Sequence, residues 1–190
     1  ARLAKVRLEV VEAASDEALA ALVPSARTCV LETGDGCVTQ SGAVLRYVAS
    51  VVAGCGLYGE TAFEESVVDA WLEMTVYEFE VAVVMTGLEQ KVIPAAKADV
   101  QRSLGAVEDV LKSRTFLVTE RATIADVALY CAVQAALDLQ LCDMKDFPCV
   151  ARWLCTCAVV FRDAESGPHV AALVEDASSK SKKKKPVVAS

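Results

Sequence analysis

Three groups of side chains in this 190-residue sequence have chemistry to offer. Eight cysteines (Cys29, Cys37, Cys55, Cys131, Cys142, Cys149, Cys155 and Cys157) could supply nucleophilic thiols, disulfides or zinc ligands. They are scattered through periodic apolar segments rather than set in a loop-rich framework, which predicts buried free thiols in a reducing compartment. Cys155 and Cys157 sit two apart in a helical pattern and therefore face different ways. The single histidine, His169, leaves no zinc ligand set, so no metal and no cofactor are expected. The second group is Thr123-Ile124-Ala125-Asp126, which has the spacing of a capping box. The threonine hydroxyl accepts an N–H of the first helical turn, and the carboxylate returns to the cap's own N–H. Asp126 thereby also suits the positive end of the helix dipole. Its role reads as folding rather than catalysis, and Thr61 and Glu64 repeat the spacing. The third group is Lys180, Lys182, Lys183, Lys184 and Lys185. A run of this kind neutralises phosphates and gives weak, salt-sensitive, sequence-blind RNA affinity. A solubilising linker, a nuclear-import signal and a membrane-surface contact are alternatives.

Charge is distributed unevenly. The net charge is −7, yet residues 177–190 hold five lysines and no acid, so the rest of the chain is more acidic than the total. Between Arg46 and Lys91 there is no basic residue, while Glu60, Glu64, Glu65, Asp69, Glu73, Glu78, Glu80 and Glu89 are acidic. Such a body repels phosphates, and this leaves RNA contact to the tail. No stretch is long and apolar enough for a membrane span, and the start lacks a signal-peptide block; a cytoplasmic protein is expected.

The elements that must position these residues follow from periodicity. Lys5 to Glu12 alternates like a strand, Ser15 can cap a short helix over Asp16 to Leu22, and Thr28 to Glu32 reads as a second strand. Thr33-Gly34-Asp35-Gly36 signals a hairpin turn returning through Cys37 to Thr39. From Ser41 the period becomes helical, with Val44, Leu45, Val48, Val51 and Val52 on one stripe. Ser41 is the natural N-cap of that helix. Thr61 opens a long helix running to about Gln90, in which Trp71, Tyr77 and Phe79 read as core. Pro94 starts another, with Val100, Leu104, Val107 and Leu111 on one face. Thr123 to Leu141 is almost wholly apolar and so buried by its neighbours. Pro148 starts a helix with Val150, Trp153, Leu154, Cys157 and Phe161 in register, a short helix covers His169 to Glu175, and the rest has linker composition.

A small α/β unit followed by an all-α unit resembles the glutathione transferase fold. Three segments carry the likeness: Gln40-Ser41-Gly42-Ala43-Val44 through Tyr47-Val48, Leu57-Tyr58-Gly59 with Val68 to Glu73, and Phe116 to Tyr130 with Val150-Ala151-Arg152-Trp153. The resemblance implies an α+β fold. Residues 1–56 form an abridged thioredoxin-like unit, 57–176 an all-α unit, and 177–190 a lysine-rich tail. It also implies that Ser15, Cys29, Gln40 and Ser41 occupy vestigial glutathione-site positions, with Ser15 where the family activates a thiol and Cys29 where it has a proline. With no catalytic residue assigned, the abridged first unit and the lysine tail suggest the domains fused to aminoacyl-tRNA synthetases and their tRNA-binding cofactors. In that branch the domain is a non-catalytic scaffold. Its partners are other transferase-like domains of glutamyl-, glutaminyl- or methionyl-type synthetases, or a second copy, and tRNA is reached through the tail. Arg46, Tyr47 and Arg152 are the partner-facing candidates. The alternatives are the transferase-like domain of the translation elongation factor 1B complex and an active glutathione transferase.

Overall fold

Thr33 organises the first element. Its hydroxyl donates to the Gly36 carbonyl (2.8 Å) and accepts the Asp35 N–H (3.2 Å), closing a two-residue turn. Gly36 takes φ 141°, a conformation open to glycine. The turn joins β1 (Val30–Thr33) to β2 (Gly36–Thr39) in an antiparallel pair, with Val30 opposite Thr39 and Glu32 opposite Cys37. The hairpin thus stands where its turn signal placed it. In this computed structural model the described residues are 7–9, 11, 29–52 and 54–161. The expected strand over Lys5 to Glu12 and the helices over Asp16 to Leu22 and His169 to Glu175 lie largely or wholly outside them.

Two units divide the chain, Ala1–Val68 and Asp69–Ser190. The division falls within a helix. The loop before that helix folds tightly onto its first turn: a Cβ on Gly59, which has φ 119°, would stand 2.9 Å from the Glu65 nitrogen. In the first unit, α1 (Ser41–Val51) follows β2 directly and buries Val48 and Ala49. Its N-cap is Gln40, and no side chain caps it. Ser41 is therefore the first helical residue, which corrects the expectation that its hydroxyl would cap the helix.

α2 (Ala62–Met74) begins with the Thr61 hydroxyl accepting the Glu64 N–H at 3.2 Å. The Glu64 carboxylate accepts the Glu60 N–H, one residue before Thr61, at 2.8 Å. The helix continues through a wide π-helical segment, Thr75–Glu80, into α3 (Val81–Glu89). Thr75 marks the change of pitch, its hydroxyl donating to the Trp71 carbonyl one turn back at 2.8 Å. Such a bond competes with the ordinary helical ladder and widens it locally. Helical structure therefore runs without a break from Ala62 to Glu89, close to the expected limit.

In the second unit, α4 (Pro94–Leu111) has proline at its start and buries Ala96, Val100, Leu104, Val107 and Leu111 along one stripe. α5 (Ile124–Asp138) buries Ile124, Ala125, Leu129, Tyr130, Val133 and Ala136, and α6 (Pro148–Phe161) buries Val150, Trp153, Leu154 and Cys157. α4 packs on α6 and α3, and α5 packs on the π-helical segment and α6. Trp153, Phe79, Leu104, Leu111, Leu129 and Leu154 are essentially sealed from solvent, each worth about 1.5–3 kcal/mol of burial. Tyr130 meets Trp153 and Phe161 edge-on, with ring centroids 6.4 and 5.4 Å apart. Two expectations change. Tyr77 is 69% exposed rather than core, and only Cys157 of the eight thiols is buried, with Cys29, Cys37 and Cys131 exposed.

Candidate functional site

The start of α1 holds one of three non-glycine residues with positive φ among the described residues, the others being Gln90 and Gln140. Gln40 takes φ 72° and ψ 132°, outside both the extended and left-handed basins of an L-residue. Such strain costs about 1–3 kcal/mol and concentrates at ligand clamps. Gln40 and Ser41 are both exposed there. Half-buried Arg46 and Tyr47 follow on α1, and the Arg46 guanidinium folds back over Gly42, where an added Cβ would meet Nη1 at 3.1 Å. Cys29 stands exposed just before β1. Ser15 and Lys180, Lys182, Lys183, Lys184 and Lys185 lie outside the described residues.

The second unit builds its polar interior around Asp126. Oδ2 accepts the Thr123 N–H at 2.9 Å and the Thr123 hydroxyl at 3.1 Å. Oδ1 accepts the Leu117 N–H and the Trp153 Nε1–H, each at 3.0 Å. Both halves of the capping box are formed, and the residue is wholly buried. Burial pushes the carboxyl above its ordinary range, and the four donors pull the other way. A carboxylate whose oxygens are all engaged has no lone pair aimed at a substrate, so its chemistry is structural.

Arg152, expected on a partner-facing surface, is exposed on α6, and its guanidinium is anchored within the unit. Its Nη2 donates to the carbonyls of Leu111 (2.5 Å) and Arg114 (3.0 Å), satisfying acceptors that the end of α4 leaves over. Glu108 does the converse for α6, its carboxylate accepting the N–H groups of Cys149 and Val150 at 2.9 Å. Burial alone would raise Glu108, but those two backbone donors bring its pKa below the ordinary carboxylate value. Both clamps span about forty residues of chain, and local spacing carries no signal for either.

A cleft of about 490 Å³ lies beside Cys142, lined by Lys97, Gln101, Gln140, Asp143 and Asp146. Burial, then Asp143, push that thiol up to about 12, so it stays protonated and is a poor nucleophile. Cys149, Cys155 and Cys157 are shifted in the same direction. No group of three metal-ligating side chains occurs among the described residues, and no described helix is long and apolar enough to cross a membrane.

This combination of a small α/β unit with a helical unit keyed by a buried aspartate in the first turn of α5 defines a glutathione transferase-like fold. Residues 69–159 match the glutathione S-transferase C-terminal domain family. A glutathione S-transferase of Xanthobacter autotrophicus Py2 superposes with TM-score 0.70 at 22% identity, covering 92% of this chain and 89% of that one. The bacterial transferase BphK gives 0.72 at 19% identity, covering 92% and 90%.

Among curated proteins the chain is similar to elongation factor 1-gamma. It is 42% identical to the Trypanosoma cruzi protein over 116 residues, which is 58% of this chain and 28% of that protein. Elongation factor 1-gamma 2 of Oryza sativa subsp. japonica is 34% identical over 116 residues, covering 57% and 28%. The Homo sapiens protein is 30% identical over 146 residues, covering 70% and 32%. The chain spans about a third or less of these relatives. The likeness corrects the branch expected from the sequence: these relatives are elongation factors, not synthetase-associated proteins.

Proposed function

We propose that this chain is the glutathione transferase-like docking domain of an elongation factor 1-gamma-type protein, a non-catalytic module in a translation elongation complex. The observation that carries this reading is the 42% identity over 116 residues to the Trypanosoma cruzi factor. The side chains agree with it. Asp126, Glu108 and Arg152 are all engaged in tying helices together, and every thiol with a resolved shift is held protonated. The synthetase-scaffold reading keeps the lysine-rich tail as its support and loses the family branch.

Affinity capture from lysate with the full chain as bait, read by mass spectrometry, tests the proposal. Elongation factor subunits should co-purify. Aminoacyl-tRNA synthetases in their place would restore the other branch. Retention on immobilised glutathione, with conjugation of a chloro-nitrobenzene substrate, would instead make the chain an enzyme.

A further inference from the structure

The cleft beside Cys142 lies wholly within the unit Asp69–Ser190, and what it binds is independent of the docking role proposed above. Its wall on α4 carries Lys97 and Gln101, one helical turn apart and so on the same face. The other wall is the end of α5 and the connection to α6. Gln140 enters that wall at φ 59° in a closed helix end. Its N–H donates to the Leu137 carbonyl at 3.0 Å, and the Leu141 N–H donates to the Ala136 carbonyl at 2.9 Å. Glycine is the usual residue at such a left-handed position, and here an amide side chain lines the cleft instead. A volume of about 490 Å³ falls in the range of sites that hold small molecules.

Opposite charges share this cleft without neutralising each other. Burial and the Asp143 carboxylate push the Cys142 thiol up while the Lys97 ammonium pulls it down, so both charges act on one sulfur. Asp143 is already engaged, Oδ1 accepting the Lys145 N–H at 3.0 Å and Oδ2 standing 3.5 Å from the Lys145 ammonium. Lys97 and Asp146 are open: neither makes an ion pair or a side-chain hydrogen bond among the described residues. A dianion would meet Asp143 and Asp146, and a dication would meet Lys97, so each is opposed by part of the lining. A molecule with one charge of each sign satisfies both open groups, and Gln101 and Gln140 add amide donors and acceptors. We infer that this cleft binds a small zwitterion of the ω-amino acid class, its carboxylate on Lys97 and its ammonium on Asp146.

Isothermal titration calorimetry of the full chain near neutral pH tests this with γ-aminobutyrate and ε-aminocaproate, which set the two charges at a shorter and a longer separation. The better of the two should bind at least about tenfold more tightly than its one-charge analogues, butyrate and butylamine or caproate and hexylamine. Putrescine and succinate should also bind more weakly than the zwitterion. Lys97→Met should bring zwitterion binding down to the level of the amine, and Asp146→Asn to that of the carboxylate, with the thermal melt unchanged. Gln140→Gly relaxes the left-handed residue and removes its amide, so binding should weaken about threefold while the melt falls no lower. That combination separates a lost contact from a damaged fold. No heat from either zwitterion at about 10 mM would overturn the inference. Equal binding by the one-charge analogues, tighter binding of putrescine or succinate, or indifference to both charge substitutions would do the same.

Discussion

Trp153 Nε1 donates to Asp126 Oδ1 at 3.0 Å, so the first turn of α5 is bonded directly to the centre of α6. The same oxygen accepts the Leu117 N–H, and the other oxygen caps α5. One carboxylate therefore locks the loop at Leu117 and the start of α5 to the centre of α6, a larger task than helix capping.

Asp126→Ala should accordingly cost more than a lost cap. Removing the carboxylate orphans two backbone N–H groups and the indole N–H in a buried site. About 2–5 kcal/mol of folding stability should be lost, against about 1 for a cap alone. Trp153→Phe keeps most of the ring packing and removes one donor, so it should lose about 1–3 kcal/mol. Urea unfolding monitored by far-ultraviolet circular dichroism measures both. A loss below about 1 kcal/mol in Asp126→Ala would mean that the network is slack.

The pH dependence of stability should carry two opposite contributions. Glu108 has a lowered folded-state pKa, so its contribution is fully present above the unfolded carboxyl value and is lost as pH falls through the folded one. Glu108→Gln should therefore be the less stable protein near neutrality, by about 1 kcal/mol after solvent screening, and the gap should close in acid. Asp126 has a raised folded-state pKa, so its contribution is fully present below the unfolded value and declines as pH rises through the folded one. Urea midpoints for wild type and Glu108→Gln from about pH 3 to about pH 7 read the first effect. A gap that stays constant across that range would remove Glu108 from the account.

What could be read from the sequence was what local physics dictates. Thr33 to Gly36 makes a turn, Pro94 and Pro148 begin helices, and Thr123 with Asp126 makes a capping box, because each needs only residues a few positions apart. The remainder depended on distance. Nothing near Glu108 announces that it caps a helix beginning forty residues later, and nothing near Arg152 announces that it closes the end of α4. Tyr77 misled for a different reason. With Val81, Val84 and Leu88 it forms an apolar stripe at helical spacing, and periodicity cannot say which of two apolar faces turns inward. Ser41 was displaced from its capping role because Gln40, at φ 72°, occupies the cap position.

Arg152→Glu separates anchoring from docking. Losing the two carbonyl contacts should cost about 1 kcal/mol. Placing an acid beside the negative end of α4 adds a further few tenths. Arg152→Lys should recover part of the loss, since a single ammonium cannot reproduce the planar fork. A melting temperature unchanged in Arg152→Glu, with partner capture abolished, would place Arg152 in the interface.

Gln40→Gly addresses what the strained bend is for. Glycine adopts φ 72° without a Cβ penalty, so relief of strain should stabilise the chain by about 1 kcal/mol, less the entropy glycine adds to the unfolded state. Gly59→Ala runs the opposite way. Its φ of 119° and the Glu65 nitrogen 2.9 Å from the new Cβ force the backbone apart, at a cost of about 2–4 kcal/mol. Thermal melts of the two variants should move in opposite directions. A Gln40→Gly chain that melts lower than wild type would show that the glutamine side chain secures the start of α1. The bend would then be the consequence of that bond rather than strain held in reserve for a ligand.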